Sequence, residues 1–244
     1  DRRTEAAMST DTGGVERFVR LPTVTSSVVA VVAAGGAVGL LAGTAIQRRL
    51  LAAVFVGVVA VGVGGRLRTH AGRPIGVAIA AVGSLLVAIG VWAALVVPPQ
   101  FGHRLELAPG LVGLWVLVVA LVPIRATWSR RLIDLGTGLV FAGVLVSGVL
   151  RDASTTTLLI AAAATILAWD AADNAVSLGN QVGANRATNQ TRGELSHIGV
   201  TAAVAVVAVI AVSAIARLGV AGLPFAALFA LVIAGVLFAL VATG

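Results

Sequence analysis

Residues 74–97 read PIGVAIAAVGSLLVAIGVWAALVV, an uninterrupted apolar run without a charged side chain. As an α-helix rising 1.5 Å per residue, this run is long enough to cross the ~30 Å hydrocarbon core of a membrane. Similar runs, rich in Ala, Val, Leu and Gly, recur along the chain. A transmembrane β-barrel would instead show short segments of alternating polarity. The sequence therefore predicts an all-α, polytopic transmembrane helical bundle.

The composition favours the same fold class. Hydrophobic residues make up 59% of the 244 residues and charged residues only 11%, with a mean hydropathy of +1.04. A soluble domain carries about 25% charged residues, so this chain has too little polar surface to be covered by water. The net charge of +7 comes from arginine, because the chain has no lysine. Since the arginines flank apolar runs, they predict contact with the anionic lipid of a bilayer and no nucleic-acid partner.

About eight spans are expected, in a single membrane domain that covers residues 24–244. A polar tail, residues 1–23, precedes it; Met8 is an alternative start, and residues 14–21 form either an interfacial helix or a frayed terminus. Arg48 and Arg49 separate the first two spans, because guanidinium groups are costly in hydrocarbon. The predicted spans are Thr25–Ile46, Leu50–Gly65, Pro74–Val97, Leu107–Ile124, Leu132–Leu150, Thr155–Asn174, Ile198–Ala216 and Val220–Thr243.

The distribution of arginine predicts the orientation of the chain in the cell membrane. With the N-terminus in the cytoplasm, twelve of the seventeen arginines lie on the cytoplasmic side and five lie outside. This asymmetry predicts that both termini are cytoplasmic. It also agrees with an even number of spans.

Small residues recur at four-residue spacing on the predicted spans. Gly35, Gly39 and Gly43 share one face of the first span, and Gly76 and Ala80 share one face of the third. Small residues let helix backbones approach closely in lipid, where no hydrophobic force drives association. Two interpretations stay open, tight packing within one chain and an interface in a homo-oligomer.

The longest polar interruption is residues 169–197, WDAADNAVSLGNQVGANRATNQTRGELSH. It holds every asparagine of the chain and three of its ten acidic residues. From Asp170 onward, polar residues recur at three-to-four-residue spacing, so the sixth span is expected to continue as an amphipathic helix to about Gly183. A polar turn follows, and Glu194 is expected to begin the seventh helix. On the predicted orientation this element is cytoplasmic.

Three interpretations of the 169–197 element stay open. Carboxylates at a membrane boundary bind cations or carry protons, and the candidates are Asp170, Asp173, Asp134 and His197. Alternatively, the element docks a soluble partner, and the candidate contact residues are Asp173, Asn174, Gln181, Arg186, Arg192 and Glu194. The third interpretation is a solvated connection whose charges face water. Asp134 also follows Arg130 by four residues, the spacing of a helical ion pair.

The sequence offers no motif for catalysis, a metal or a cofactor. It has no cysteine and only three scattered histidines, which argues against a metal site. It lacks HExxH, a GxSxG nucleophile elbow and a glycine-rich phosphate loop with lysine. We therefore expect a protein that is not an enzyme and needs no cofactor.

The polar element resembles part of an uncharacterised family of haloarchaeal multi-pass membrane proteins. That family is often acidic where this chain has Asn180 and has glycine where this chain has Ser177, which argues against an ion-binding role. Its members tend to be encoded beside MoxR-type AAA+ ATPases and von Willebrand-like proteins, so the resemblance implies a membrane component of a cytoplasmic ATPase system. The matching residues are Trp169-Asp170, Asn174-Ala175-Val176, Leu178-Gly179, Gln181, Gly183, Thr191-Arg192, Glu194-Leu195 and His197.

Together these features predict a non-enzymatic integral membrane scaffold or anchor subunit. Its 169–197 element would contact a cytoplasmic partner protein, such as an AAA+ ATPase system. The alternative is a small transporter or proton-coupled permease that uses Asp170 and Asp173.

Overall fold

A computed structural model describes residues 22–70, 73–97, 101–122, 126–151, 153–181 and 187–217. Within these residues the protein is all-helical, which confirms the predicted class. Six of the helices are long and apolar enough to cross a membrane, and α4 has a shorter apolar stretch, Leu107–Leu121. The predicted eighth span, Val220–Thr243, lies outside the described residues. The helices are α1 (Val24–Leu41), α2 (Ala45–His70), α3 (Arg73–Val96), α4 (Phe101–Leu121), α5 (Ala126–Arg151), α6 (Thr155–Gln181) and α7 (Ala187–Arg217).

The start of α2 differs from the sequence prediction. The helix begins at Ala45, so Arg48 and Arg49 lie in its first turns and do not precede it. Thr44 and Gln47 cap this end reciprocally. Gln47 N donates to Thr44 Oγ1 at 3.2 Å, and Thr44 N donates to Gln47 Oε1 at 3.1 Å. The start of α2 is therefore set by a capping box.

The two helices of the polar element also extend beyond the predicted spans. α6 continues to Gln181, which confirms the expected extension, and its 27 residues make a helix about 40 Å long, longer than the hydrocarbon core. α7 begins at Ala187, so the prediction that Glu194 starts it is wrong. Residues 187–193 are polar, and hydropathy does not mark a helix in a polar segment. The predicted turn at 182–186 lies outside the described residues.

α4 lies at the centre of the described bundle. Its Leu107, Leu111, Leu114 and Leu117 recur at three- and four-residue spacing and are almost fully buried. α4 contacts α1, α2, α3, α5 and α6. α7 packs at the edge, against α6 and α1.

Glycines bring two antiparallel pairs, α2 with α3 and α4 with α5, into backbone contact. A Cβ atom added to Gly64 would lie 2.7 Å from the carbonyl oxygen of Gly76, and one added to Gly113 would lie 2.5 Å from that of Gly136. No residue with a side chain fits such an approach. For Gly76, the small-residue pattern thus serves packing within one chain.

Candidate functional site

Polar side chains of four helices meet where α1, α5 and α7 begin and α6 ends, which we call the polar end of the bundle. They form hydrogen bonds and ion pairs between helices, and we refer to them as the polar cluster. Six of the residues predicted as candidates belong to it. Its members are Ser26, Arg130, Asp134, Trp169, Asp170, Asp173, Asn174, Ser177, Glu194, His197 and Thr201.

Asp170 joins α6 to α7. His197 Nε2 lies 3.2 Å from one carboxylate oxygen of Asp170 and 3.3 Å from the other. Thr201 Oγ1 donates a hydrogen bond of 2.9 Å to the same carboxylate. Because residues four apart share a helix face, two consecutive turns of α7 bind one side chain of α6. The Asp170 side chain is 25% exposed and that of His197 is 51% exposed.

Asp173 joins α6 to α5 on the outer side of the cluster. Arg130 Nε lies 3.2 Å from Asp173 Oδ1, with side chains 63% and 40% exposed. Arg130 Nη2 also donates to Ser177 Oγ at 3.1 Å, and Ser177 Oγ donates to Asp173 Oδ2 at 3.5 Å. The guanidinium thus spans two residues on consecutive turns of α6.

The sequence predicted an ion pair between Arg130 and Asp134 within α5, but the described bonds of these two side chains are to residues of α6. Trp169 Nε1 donates a hydrogen bond of 2.9 Å to Asp134 Oδ1, which links α6 to α5. The salt bridge described for Arg130 is to Asp173 on α6. Both bonds cross between helices, so they hold α5 against α6. An ion pair between Arg130 and Asp134 would have stabilised α5 alone.

Glu194 lies inside the bundle, although the sequence suggested a place on a docking surface. The residue is 5% exposed, and Ser26, which is 0% exposed, donates a hydrogen bond of 3.3 Å to Glu194 Oε2. Asn174 Nδ2 donates to Ser26 Oγ at 3.4 Å, and Thr23 N donates to Ala175 O at 3.1 Å. The first turn of α1 therefore sits between α6 and α7.

The remaining candidates fall at or beyond the limits of the described structure. Gln181 is the last residue of α6, and Arg192 lies in α7. Their side chains are outside the described part, and Arg186 lies outside it entirely.

Sequence reasoning missed Ser26 and Thr201, and it missed Arg130 as the partner of Asp173. Thr201 follows His197 by four residues, so a search for polar residues on the same helix face would have found it. Ser26 offers no comparable signal, because its partner Glu194 is 168 residues away in the chain.

The chemistry available to the polar cluster follows from these partners. Its four carboxylates each accept a hydrogen bond or lie in an ion pair, and each contact joins two helices. Asp170 and His197 bring a carboxylate and an imidazole into contact across the α6–α7 interface. Among the described residues, no three His, Cys, Asp or Glu side chains lie close enough to hold a metal ion.

These features define the class of protein: a multi-pass α-helical membrane protein with a polar cluster at one end of its bundle. A model for a family of unknown function, DUF7519, matches residues 80–239, and the chain belongs to this family. The match contains every described member of the polar cluster except Ser26. Searches of the curated proteins and of the solved structures found no match.

Proposed function

We propose that this protein is a non-enzymatic scaffold or anchor subunit of the cell membrane, with eight spans and both termini in the cytoplasm. The polar end faces the cytoplasm, and its 169–197 element contacts a protein partner. The resemblance noted for this element suggests an AAA+ ATPase system as that partner.

The observation that carries the proposal is the division of the polar cluster into an inner and an outer part. Ser26 and Glu194 are buried and hold helices together, while the Arg130–Asp173 pair is exposed. The side chains of Trp169, one turn before Asp173 on α6, and of Trp128, near the start of α5, are also exposed. Aromatic residues and arginine are enriched at the centres of protein interfaces. A rigid inner part thus supports an outer surface that a partner can contact.

A charge swap tests the docking role without removing the ion pair. We expect the double variant Arg130→Asp/Asp173→Arg to fold normally, because the two charges exchange places. Its recovery of a MoxR-type ATPase from the same cell should fall about tenfold or more, because reversed charges at an interface cost several kcal/mol. The measurement is co-purification with the tagged ATPase, alongside thermal unfolding in detergent.

Arg49→Glu is the matched control, because Arg49 is exposed at the opposite end of the bundle. This charge reversal should leave ATPase recovery unchanged. Equal recovery by the charge-swapped and native proteins would refute docking at the Arg130–Asp173 pair.

The proposed orientation can be tested by labelling. The chain contains no cysteine, so a single introduced cysteine is the sole thiol. A membrane-impermeant maleimide should leave Asn185→Cys and Gly244→Cys unlabelled in intact cells and label both after permeabilisation. Labelling of Asn185→Cys in intact cells would reverse the orientation, and labelling of Gly244→Cys alone would place the C-terminus outside, which would refute the proposal that both termini are cytoplasmic.

One observation favours a second candidate, a proton-coupled transporter that uses Asp170 and Asp173. The contact of Asp170 with His197 joins two titratable groups across a helix interface. This candidate predicts that Asp170→Asn abolishes proton flux into liposomes that contain the purified protein and a pH-sensitive dye. Thr201→Val, which removes a hydrogen bond but no titratable group, should leave that flux in place. Equal flux with and without the native protein would remove this candidate.

A further inference from the structure

An apolar groove runs between α1 and α2 at the polar end of the bundle. α1 and α2 follow each other in the chain but pack mainly on different helices, α1 on α6 and α2 on α3. They approach each other where the Phe55 ring lies against Gly35 and Leu51 lies against Gly39. Beyond Phe55 the two helices separate, and α4 forms the floor of the space between them.

The walls of this groove are aliphatic. Val28 and Val32 of α1 face Val59 and Val63 of α2, and the groove has a volume of ≈ 300 Å³. Gly62 widens the groove, because a Cβ atom at this position would meet no atom within 4 Å. The groove lies along two helices that are long and apolar enough to span a membrane, so its open side would face lipid hydrocarbon.

The groove has one polar end. Arg66, near the end of α2, and Ser27, in the first turn of α1, line it together. The guanidinium of arginine carries five N–H donors in a planar fork, so Arg66 can keep a bond within the protein and still bind a phosphate.

A second groove repeats the arrangement at the opposite end of α2. Its volume is ≈ 380 Å³, and Gly36, Arg48 and Phe55 are among its lining residues. Each groove therefore runs from an arginine to Phe55. Arg48 and Arg66 are about 27 Å apart along α2, close to the ~30 Å thickness of the hydrocarbon core. Both arginines thus lie at the level where lipid headgroups begin.

We propose that the first groove is a binding site for an anionic phospholipid, with one hydrocarbon chain between α1 and α2 and the phosphate on Arg66. The distance from Phe55 to Arg66 along α2 is about 16 Å, and a cavity of ≈ 300 Å³ spread over this length is narrower than the 10–12 Å width of a helix. A single alkyl chain fits this width better than a second protein helix. Arg66 supplies the selectivity, because guanidinium binds phosphate in a bidentate manner.

Native mass spectrometry of the full chain tests this site. The protein is purified from vesicles of equal parts phosphatidylglycerol and phosphatidylcholine, and the retained lipids are identified. We expect the native protein to retain phosphatidylglycerol preferentially. Arg66→Gln should lower that preference about tenfold, the effect of losing charge-assisted hydrogen bonds. Gly62→Leu should reduce retention at this site to the background of loosely attached lipid, because its side chain fills the groove.

Gly138→Leu is the matched control. A Cβ atom at Gly138 also meets nothing within 4 Å, but Gly138 lies on α5, away from the groove. This variant should retain phosphatidylglycerol like the native protein. Equal retention by the Gly62→Leu and Gly138→Leu proteins would overturn the proposal. So would release of the lipid by millimolar inorganic phosphate, which would indicate a phosphate site without a lipid chain.

Two further outcomes would identify a different occupant and also overturn the proposal. If Gly62→Leu converts a dimer to a monomer, a second copy of the chain occupies the groove. If a cysteine at position 62 forms a disulfide with one introduced in residues 220–243, the chain's own C-terminal segment occupies it.

Discussion

The α2–α3 and α6–α7 pairs are held together by different means. α2 and α3 are in backbone contact at several levels, where Gly57 meets Gly83 and Gly64 meets Gly76. α6 and α7 are joined at the polar end, where Asp170 binds two side chains of α7. Beyond that point, the apolar part of α7 is almost entirely exposed within the described structure.

This difference reflects the two ways in which helices associate in lipid. No hydrophobic force draws two apolar helices together there, so they need either close backbone packing or polar bonds. Backbone packing distributes the attachment of α2 to α3 along the helices. Polar bonds concentrate the attachment of α6 to α7 at one place. A charged partner at the polar end can therefore affect α7 without disturbing α2 and α3.

The largest effect is expected from breaking the backbone contact of α2 and α3. In Gly64→Leu, the new Cβ atom would lie 2.5 Å from Ala80 N and 2.7 Å from Gly76 O, and neither backbone atom can move without moving its helix. We expect a loss of about 3 kcal/mol in the free energy of unfolding, typical of severe overpacking. Thermal or denaturant unfolding in detergent measures it. Gly138→Leu, with open space around its Cβ, should unfold like the native protein, and equal stability of the two variants would contradict the packing argument.

A smaller and more local effect is expected at α6 and α7. Asp170→Ala removes the partner of both His197 and Thr201, which should cost about 1–3 kcal/mol. Because the attachment is local, amide hydrogen exchange should rise in residues 193–201 and stay unchanged in α2 and α3. The double variant with Thr201→Val should lose less than the sum of the two single losses, because both changes remove the same hydrogen bond. A uniform rise in exchange across the bundle would contradict a local attachment.

The sequence predicts the apolar helices well and the polar contacts only in part. Hydropathy finds the spans because a long apolar run without charged residues is typical of a transmembrane helix. It misplaces the start of α2, because the capping box of Thr44 and Gln47 is a local hydrogen-bond feature. The spacing of polar residues on α6 places Asp170 and Asp173 on a polar stripe, and both belong to the cluster. The buried position of Glu194 depends on Ser26, which only the packing of α1 reveals.

The smallest effect on stability is expected from the exposed pair of Arg130 and Asp173. Their side chains are 63% and 40% exposed, so water and salt screen their attraction. Arg130→Gln should lower the free energy of unfolding by less than about 1 kcal/mol, and 1 M salt should abolish most of that difference. Unfolding at low and high salt measures it. A loss as large as that of Asp170→Ala would mean that the outer part of the cluster also holds the bundle together. A small loss of stability combined with a large loss of partner recovery would instead assign this pair to a contact outside the chain.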